Sequence, residues 1–274
     1  VTGLNSLNAN TTGSYNVAVG HNTLSKNTSG YANTAIGADA GVEITDATFN
    51  TAVGASALEL NVHGQQNTAV GASALAKTVG TNNTTLVYGA NCTAVGSASM
   101  ANNTTGNGTA VGSHSLESQT TGTYNTAIGN DAGRGITTGS NNVIVGTAGF
   151  AGVGGITTGN NNTIVAGGLG QYTGVTTGSG NTILGKVSGL SPTQSNTVVI
   201  SDGVGTRRIF SGSDNLTVLP NQTNALITAD ATGKSIVTKE YLESVTPISV
   251  VDASPTVKGI VKLAGDLGGT ADLP

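Results

Sequence analysis

The feature that most constrains this chain is an internal repeat of seventeen residues built on Asn-Thr-Ala-Val/Ile-Gly. Its glycines Gly20, Gly37, Gly54 and Gly71 each stand one full repeat from the next. Gly3 extends the series backwards, because Gly3-Leu-Asn-Ser-Leu7 parallels Gly20-His-Asn-Thr-Leu24. The series resumes at Gly96, Gly112, Gly129 and Gly146, spaced 16, 17 and 17. Looser copies follow at Asn162-Thr-Ile-Val-Ala166, Asn181-Thr-Ile-Leu-Gly185 and Asn196-Thr-Val-Val-Ile200. About twelve copies therefore fill residues 1–200. A unit this short cannot bury its own apolar face, whereas stacked copies can. The expected fold class is all-β: a β-solenoid or β-roll of about twelve coils, with a strand spacing of about 4.8 Å.

Within a unit, Asn-Thr-Ala-Val is a strand by propensity. Side chains alternate across a strand. Thr34 and Ile36 therefore share a half-apolar face, while Asn33, Ala35 and Gly37 share a small one. The row Ala18, Ala35, Ala52, Ala69, Ala94, Ala110 and Ala127 predicts that another chain approaches closely on that small face. From the ninth copy the row becomes Ile144, Ile164, Ile183 and Val198, which predicts a changed cross-section near residue 140. Turns follow in the form Thr-Thr-Gly. Gly13, Gly30, Gly122, Gly139, Gly159 and Gly178 are expected to supply positive φ there.

Composition fits a rod better than a compact enzyme. Only 24 of 274 side chains are charged, the net charge is −4, there are 42 glycines and no tryptophan. The acidity excludes a basic nucleic-acid surface. No apolar run approaches the ~20 residues of a membrane-spanning helix. The averages hide a shift: residues 1–200 hold 10 charges and the last 74 hold 14. All five prolines lie beyond residue 190. Residues 201–245 read as a connector with short strands at 216–219 and 225–228 and a short helix from Thr238 to Val245. Residues 246–274 read as a linker and the start of a further module. The chain opens and closes mid-pattern, as a piece of a longer polypeptide would.

The repeat resembles the head repeats of trimeric autotransporter adhesins, the YadA-like β-roll, though its unit is longer. Ile227-Thr-Ala-Asp-Ala-Thr-Gly-Lys-Ser-Ile-Val-Thr-Lys-Glu-Tyr241 looks like a linker module of phage tail fibres. Thr256-Val-Lys-Gly-Ile-Val-Lys-Leu-Ala-Gly-Asp-Leu-Gly-Gly-Thr270 and the residues to Pro274 are similar to a segment of tail fibres and contractile injection particles. The resemblance implies a homotrimeric structural shaft on a virion tail or extracellular phage-tail-like particle. Its partners would be other tail or baseplate proteins and a cell-surface glycan or protein receptor, without nucleic acid or membrane insertion. The alternative is a trimeric adhesin on a bacterial outer surface, whose roll binds host matrix or glycan.

Enzyme chemistry is not expected. Thr232-Gly-Lys-Ser235 has the end of a phosphate-binding loop, but Thr228 stands where its first Gly is needed. Asp39 and Asp131 occupy the same repeat position five coils apart, too far for a carboxylate pair. His21, His63 and His114 lie on different coils, so no metal or cofactor site is assigned. Cys92 stands where other copies place Asn, and reads as a buried small residue. The step from Gly71 to Gly96 is longer than the repeat by eight, so Lys77–Ala90 carries an insertion. Insertions in solenoids form loops, often on a binding face. Tyr88, Asn82 and Asn83 are its candidate receptor-contact residues. Tyr15, Tyr31 and Tyr124 fall near coil corners and are expected to pack over turns, with sugar stacking as the alternative.

Overall fold

A computed structural model describes residues 2–77, 91–147, 155–167, 174–187, 189–202, 206–211 and 217–218. They belong to one compact unit, Val1–Pro220. Among the described residues there is no helix, and none that could cross a membrane. Strands β1 (Val17–Val19), β2 (Thr34–Ile36), β3 (Thr51–Val53), β4 (Thr68–Val70), β5 (Thr93–Val95) and β6 (Gly108–Val111) are followed by β7 (Asn125–Ile128), β8 (Val143–Val145), β9 (Thr163–Val165), β10 (Thr182–Leu184) and β11 (Val198–Ser201). Each pairs parallel with the next, one coil on. The result is a β-solenoid of about nine turns. That is fewer than the twelve copies in the sequence. Residues 148–154, 168–173 and 188 of the later copies lie outside the described residues. After β11 the sheet turns antiparallel through β12 (Arg207–Ser211) and β13 (Thr217–Val218), within the segment expected to hold a strand. The expected strand at 225–228, the helix from Thr238 to Val245 and the final module lie outside the described residues.

Register is kept across the irregular steps. Thr68 aligns with Thr93 and Ala69 with Ala94, although the chain between them is longer than one repeat. Residues 78–90, which include most of the expected insertion, lie outside the described residues. One alignment differs from the sequence reading: Ile183 pairs with Val199, so Val199 and not Val198 continues the Ala/Ile row. Val199 is fully buried and Val198 is exposed.

Two glycine rows set how closely the coils stack. Gly20, Gly37, Gly54, Gly71, Gly96, Gly112 and Gly129 end their strands at φ of +129 to +137°, a region that L side chains rarely adopt. A Cβ on Gly54 would lie 2.6 Å from the carbonyl carbon of Gly71, one coil on. The turn glycines form the second row. Gly13, Gly30, Gly122, Gly139, Gly159 and Gly178 do not have positive φ, contrary to expectation. Close approach explains them instead: a Cβ on Gly30 would lie 2.4 Å from the carbonyl oxygen of Ala47. The row is not absolute, since Ala47 itself occupies it in one coil. Positive φ falls two residues later, at Tyr15, Ala32, Phe49, Gln66, Tyr124 and Asn141.

Buried asparagines tie successive coils together. The backbone N–H groups of Asn33, Asn50 and Asn67 donate to the side-chain Oδ1 of the Asn one coil before, at 2.9–3.0 Å. Nδ2 of Asn16, Asn33 and Asn50 donates to the turn carbonyls of Gly30, Ala47 and Gly64. The ladder resumes through Asn125, Asn142, Asn162 and Asn181 to the N–H of Thr197. It is interrupted where Cys92 and Gly108 replace Asn. There the longer Gln119 reaches across, accepting from Asn125 Nδ2 at 2.8 Å and donating to Asn103 Oδ1 at 3.4 Å.

The apolar core has two interchangeable fillings. In several coils a leucine or methionine shares the interior with an amide side chain three residues later, as in Leu24 with Asn27, Leu58 with Asn61 and Met100 with Asn103. In two coils the pair becomes Gly41 with Ile44, and Gly133 with Ile136. A Cβ on Gly41 would lie 2.9 Å from Ile44 Cδ1 and 3.0 Å from Leu24 Cδ2. A Cβ on Gly133 would lie 2.9 Å from Leu116 Cδ2 and 3.2 Å from Ile136 Cδ1. The isoleucine thus fills the space that the leucine leaves. Its apolar side chain also leaves Asn27 Oδ1 buried without a donor, whereas Asn10 Oδ1 accepts from Asn27 Nδ2 at 2.9 Å.

The strand-ending glycine row and the two core fillings can be tested by substitution. Gly54→Ala should destabilise the fold by about 3 kcal/mol or more, because backbone and not a flexible side chain blocks the methyl group. Thermal unfolding of the variant measures the loss. Gly41→Leu should cost about 1–3 kcal/mol by overpacking, and Ile44→Asn about 2–5 kcal/mol through lost burial and a cavity. The double variant should recover at least native stability, since the amide introduced by Ile44→Asn gives Asn27 Oδ1 its donor. A double-mutant cycle by denaturant titration reads that coupling.

Candidate functional site

The interior of a coil is thin, so its inward strand position takes alanine. Ala18, Ala35, Ala52, Ala69, Ala94, Ala110 and Ala127 are fully buried against the same chain's second segment, beside Leu24, Leu58, Leu75, Met100 and Leu116. The small face is therefore the inside of the roll and not a surface for another chain. That corrects the expectation from the sequence. The row passes into Ile164 and Ile183, also buried, with Ile144 partly so.

The opposite face of the parallel sheet is open. Val17, Val19, Ile36, Val95, Val111, Ile128, Val165, Leu184 and Val198 are exposed large apolar residues on it, Ile128 at 44%. Parallel register stacks Val19, Ile36, Val53, Val70, Val95, Val111, Ile128, Val145, Val165 and Leu184 into one row. A second row two residues earlier runs through Thr34, Thr51, Thr68, Thr93, Thr109 and Thr126. The outer face is thus a Thr row beside a Val/Ile row along the solenoid. The array is apolar and partly water-facing along the described coils.

Aromatic residues occupy one corner of the early coils. Tyr15 is 88% exposed, Phe49 51% and Tyr124 68%. These three have φ of 56, 59 and 57°. Tyr31 packs edge-to-face on Phe49 with ring centroids 5.1 Å apart and planes at 77°. Tyr15 and Tyr124 are too exposed to be packing over turns, which corrects the reading of those two. Phe49 was not singled out from the sequence, although it stands in the column of Tyr15, two repeats on.

The titratable groups fall into local pairs. His63 Nδ1 lies 2.5 Å from Asp46 Oδ1, one coil away. Arg134 contacts Glu117 through Nε at 2.6 Å and Asp131 through Nη1 at 3.1 Å, and His114 Nδ1 lies 3.2 Å from Glu117. Asp39 accepts from Asn22 Nδ2 at 3.1 Å in its own stack. His21 is exposed. Among the described residues no group of three His, Cys, Asp or Glu side chains is placed to hold a metal ion. Tyr88, Asn82 and Asn83 lie outside the described residues.

Cys92 is buried within the ladder, where its Sγ–H donates to the Gly106 carbonyl at 3.3 Å. Burial pushes its pKa up from 9.0 to about 12, because the thiolate would lose its hydration. Comparison with protein-family models, with curated proteins and with solved structures finds no match. The open Thr–Val/Ile face and the aromatic corner are therefore read from their own geometry.

Cys92 generates a prediction. The native thiol should resist a thiol-reactive dye at pH 8 and react fully in denaturant. The unfolded thiol ionises first as pH rises, so stability present below about pH 9 declines between there and about pH 12. Cys92→Ala should show a smaller decline over that range in denaturant titrations.

Proposed function

We propose that the chain is the structural shaft of a homotrimeric fibre on a phage or contractile injection particle, holding a receptor-binding tip away from the particle. The observation that carries this reading is the unbroken apolar row on the outer face of the parallel sheet. Val19, Ile36, Val95, Val111, Ile128, Val165 and Leu184 all expose apolar surface on it. A monomer has no use for such a row, whereas copies packed around a common axis bury it along their length. The Thr row beside it supplies hydroxyls that hydrogen-bond at the rim of such an interface. Three copies, and not two, are favoured by the resemblance of the repeat to trimeric adhesin heads. The resemblance of 227–241 and 256–274 to tail-fibre segments supports the particle assignment.

The mechanism is mechanical. Each coil is hydrogen-bonded to two neighbours through strand, turn and Asn ladder, so bending must break many bonds together. Association would align three copies of any tip for avidity. No catalytic step is proposed.

Light scattering tests the assembly. The native protein should have the mass of three chains. Replacing Ile36 and Ile128 by Asp places charges in the apolar row without touching the Ala interior. That variant should run as a folded monomer with the native β-sheet circular dichroism. A native chain that is monomeric at micromolar concentration, or a variant that stays trimeric, overturns the proposal.

A further inference from the structure

Two residues beyond the turn glycine, or beyond a residue in its place such as Ala47, the backbone is left-handed in most coils, as at Tyr15, Ala32, Phe49, Gln66, Asn91, Tyr124, Asn141, Asn161 and Asn196, though not after Gly106. Asparagine tolerates that conformation, and four of these coils use it. A bulky residue there is disfavoured. The buried leucines show what justifies the cost elsewhere: Leu24, Leu58, Leu75 and Leu116 have φ of 49–52° and are fully buried. Tyr15, Phe49 and Tyr124 carry the same backbone strain and stay exposed, and of these only Tyr15 and Phe49 stand two coils from a second aromatic corner. Neither core packing nor backbone geometry accounts for them, and strain held at an exposed position points to a function.

The stack places Tyr15 and Phe49 two coils apart, about 9–10 Å, with the small Ala32 between them. Tyr31 adds a third ring against Phe49 at 5.1 Å. Two aromatic faces each stacked at about 3.5–4 Å on one inserted ring need roughly 7–8 Å. Around the notch Thr12, Ser14 and Ser29 are exposed, neutral hydrogen-bonding groups. The charged side chains of these turns, Asp46 and His63, face each other at 2.5 Å. Three rings of about 150–250 Å² each fall short of the roughly 800 Å² per partner of a stable protein interface. A polyanion finds no basic group here.

We infer that the notch over Ala32, walled by Tyr15 and Phe49 and flanked by Tyr31, binds a neutral pyranose of an oligosaccharide. The apolar face of the sugar stacks on the rings, and its hydroxyls meet Ser14 and Ser29. The site lies on a single chain, so it does not depend on the fibre reading.

Saturation-transfer NMR with soluble chitohexaose, cellohexaose and laminarihexaose tests the site. The native chain should transfer magnetisation to at least one of the three, with millimolar or tighter affinity by titration. The double variant Tyr15→Asn, Phe49→Asn installs the residue other coils use, so its melting temperature should be equal or higher. Its affinity should fall at least tenfold. Tyr124→Asn, at a corner whose neighbours carry no second aromatic, should bind as the native chain does. Transfer to none of the three sugars, unchanged affinity in the double variant, or equal loss in Tyr124→Asn overturns the inference. Light scattering on the same samples reports the oligomeric state separately.

Discussion

Everything in this roll depends on how closely one coil lies on the next. The strand-ending glycines let backbone meet backbone with no Cβ between, Gly54 over Gly71 and Gly71 over Gly96. Their φ near +130° turns the chain sharply out of each strand. With that spacing set, the strands reach hydrogen-bonding distance, and the side chains of each column stack on their own kind. The Asn ladder follows from it. An Asn side chain can serve the next coil's N–H and its turn carbonyl only if every coil repeats the same rise. Left without that partner, each buried amide would cost roughly 1–3 kcal/mol. The ladder therefore selects one register over its neighbours.

Departures from the repeat are compensated close by. Cys92 and Gly108 remove two amides from the ladder, and the longer Gln119 bridges toward Asn125 and Asn103. Gly41 and Gly133 remove a leucine, and Ile44 and Ile136 return its volume from three residues on. Leu-to-Gly with Asn-to-Ile conserves interior volume while relocating it, which close-packed interiors tolerate best. The cost is local: Asn27 Oδ1 faces Ile44 and has no donor. Across the long step between β4 and β5 the register is kept, Thr68 against Thr93. A solenoid tolerates such an insertion because each coil answers only to its neighbours.

The polar chemistry of the surface is local. His63 with Asp46, and Arg134 with Glu117 and Asp131, join adjacent coils or neighbours within one coil. His63 and Asp46 are partly exposed, and such a pair contributes little to stability. What distinguishes the surface is apolar: one row along the open face and one aromatic corner. The first is a regular product of the repeat, since a column once filled with Val or Ile extends over every coil, whereas the second departs from it at single positions.

The sequence by itself determined the period, the position of the Asn-Thr-Ala-Val strand, the all-β solenoid and the burial of Cys92. Those follow from spacing, β propensity and glycine placement, which are local. The sequence also reads the second segment of each unit as a short strand, where the described coils have turns. It could not decide which strand face lies inward. Alternation defines two faces but does not say which one the second segment covers. Size alone misdirected the reading, because small residues suit a close interface and a thin interior equally. Only the packing of Leu24, Leu58 and Leu116 onto the Ala row decided it, leaving Ile36 and Ile128 outside. The left-handed corners were likewise out of reach: glycine marks the turn, but the positive φ falls on Tyr15 and Phe49. That placement depends on how a coil closes onto the one beneath, which is a property of the stack and not of any single repeat.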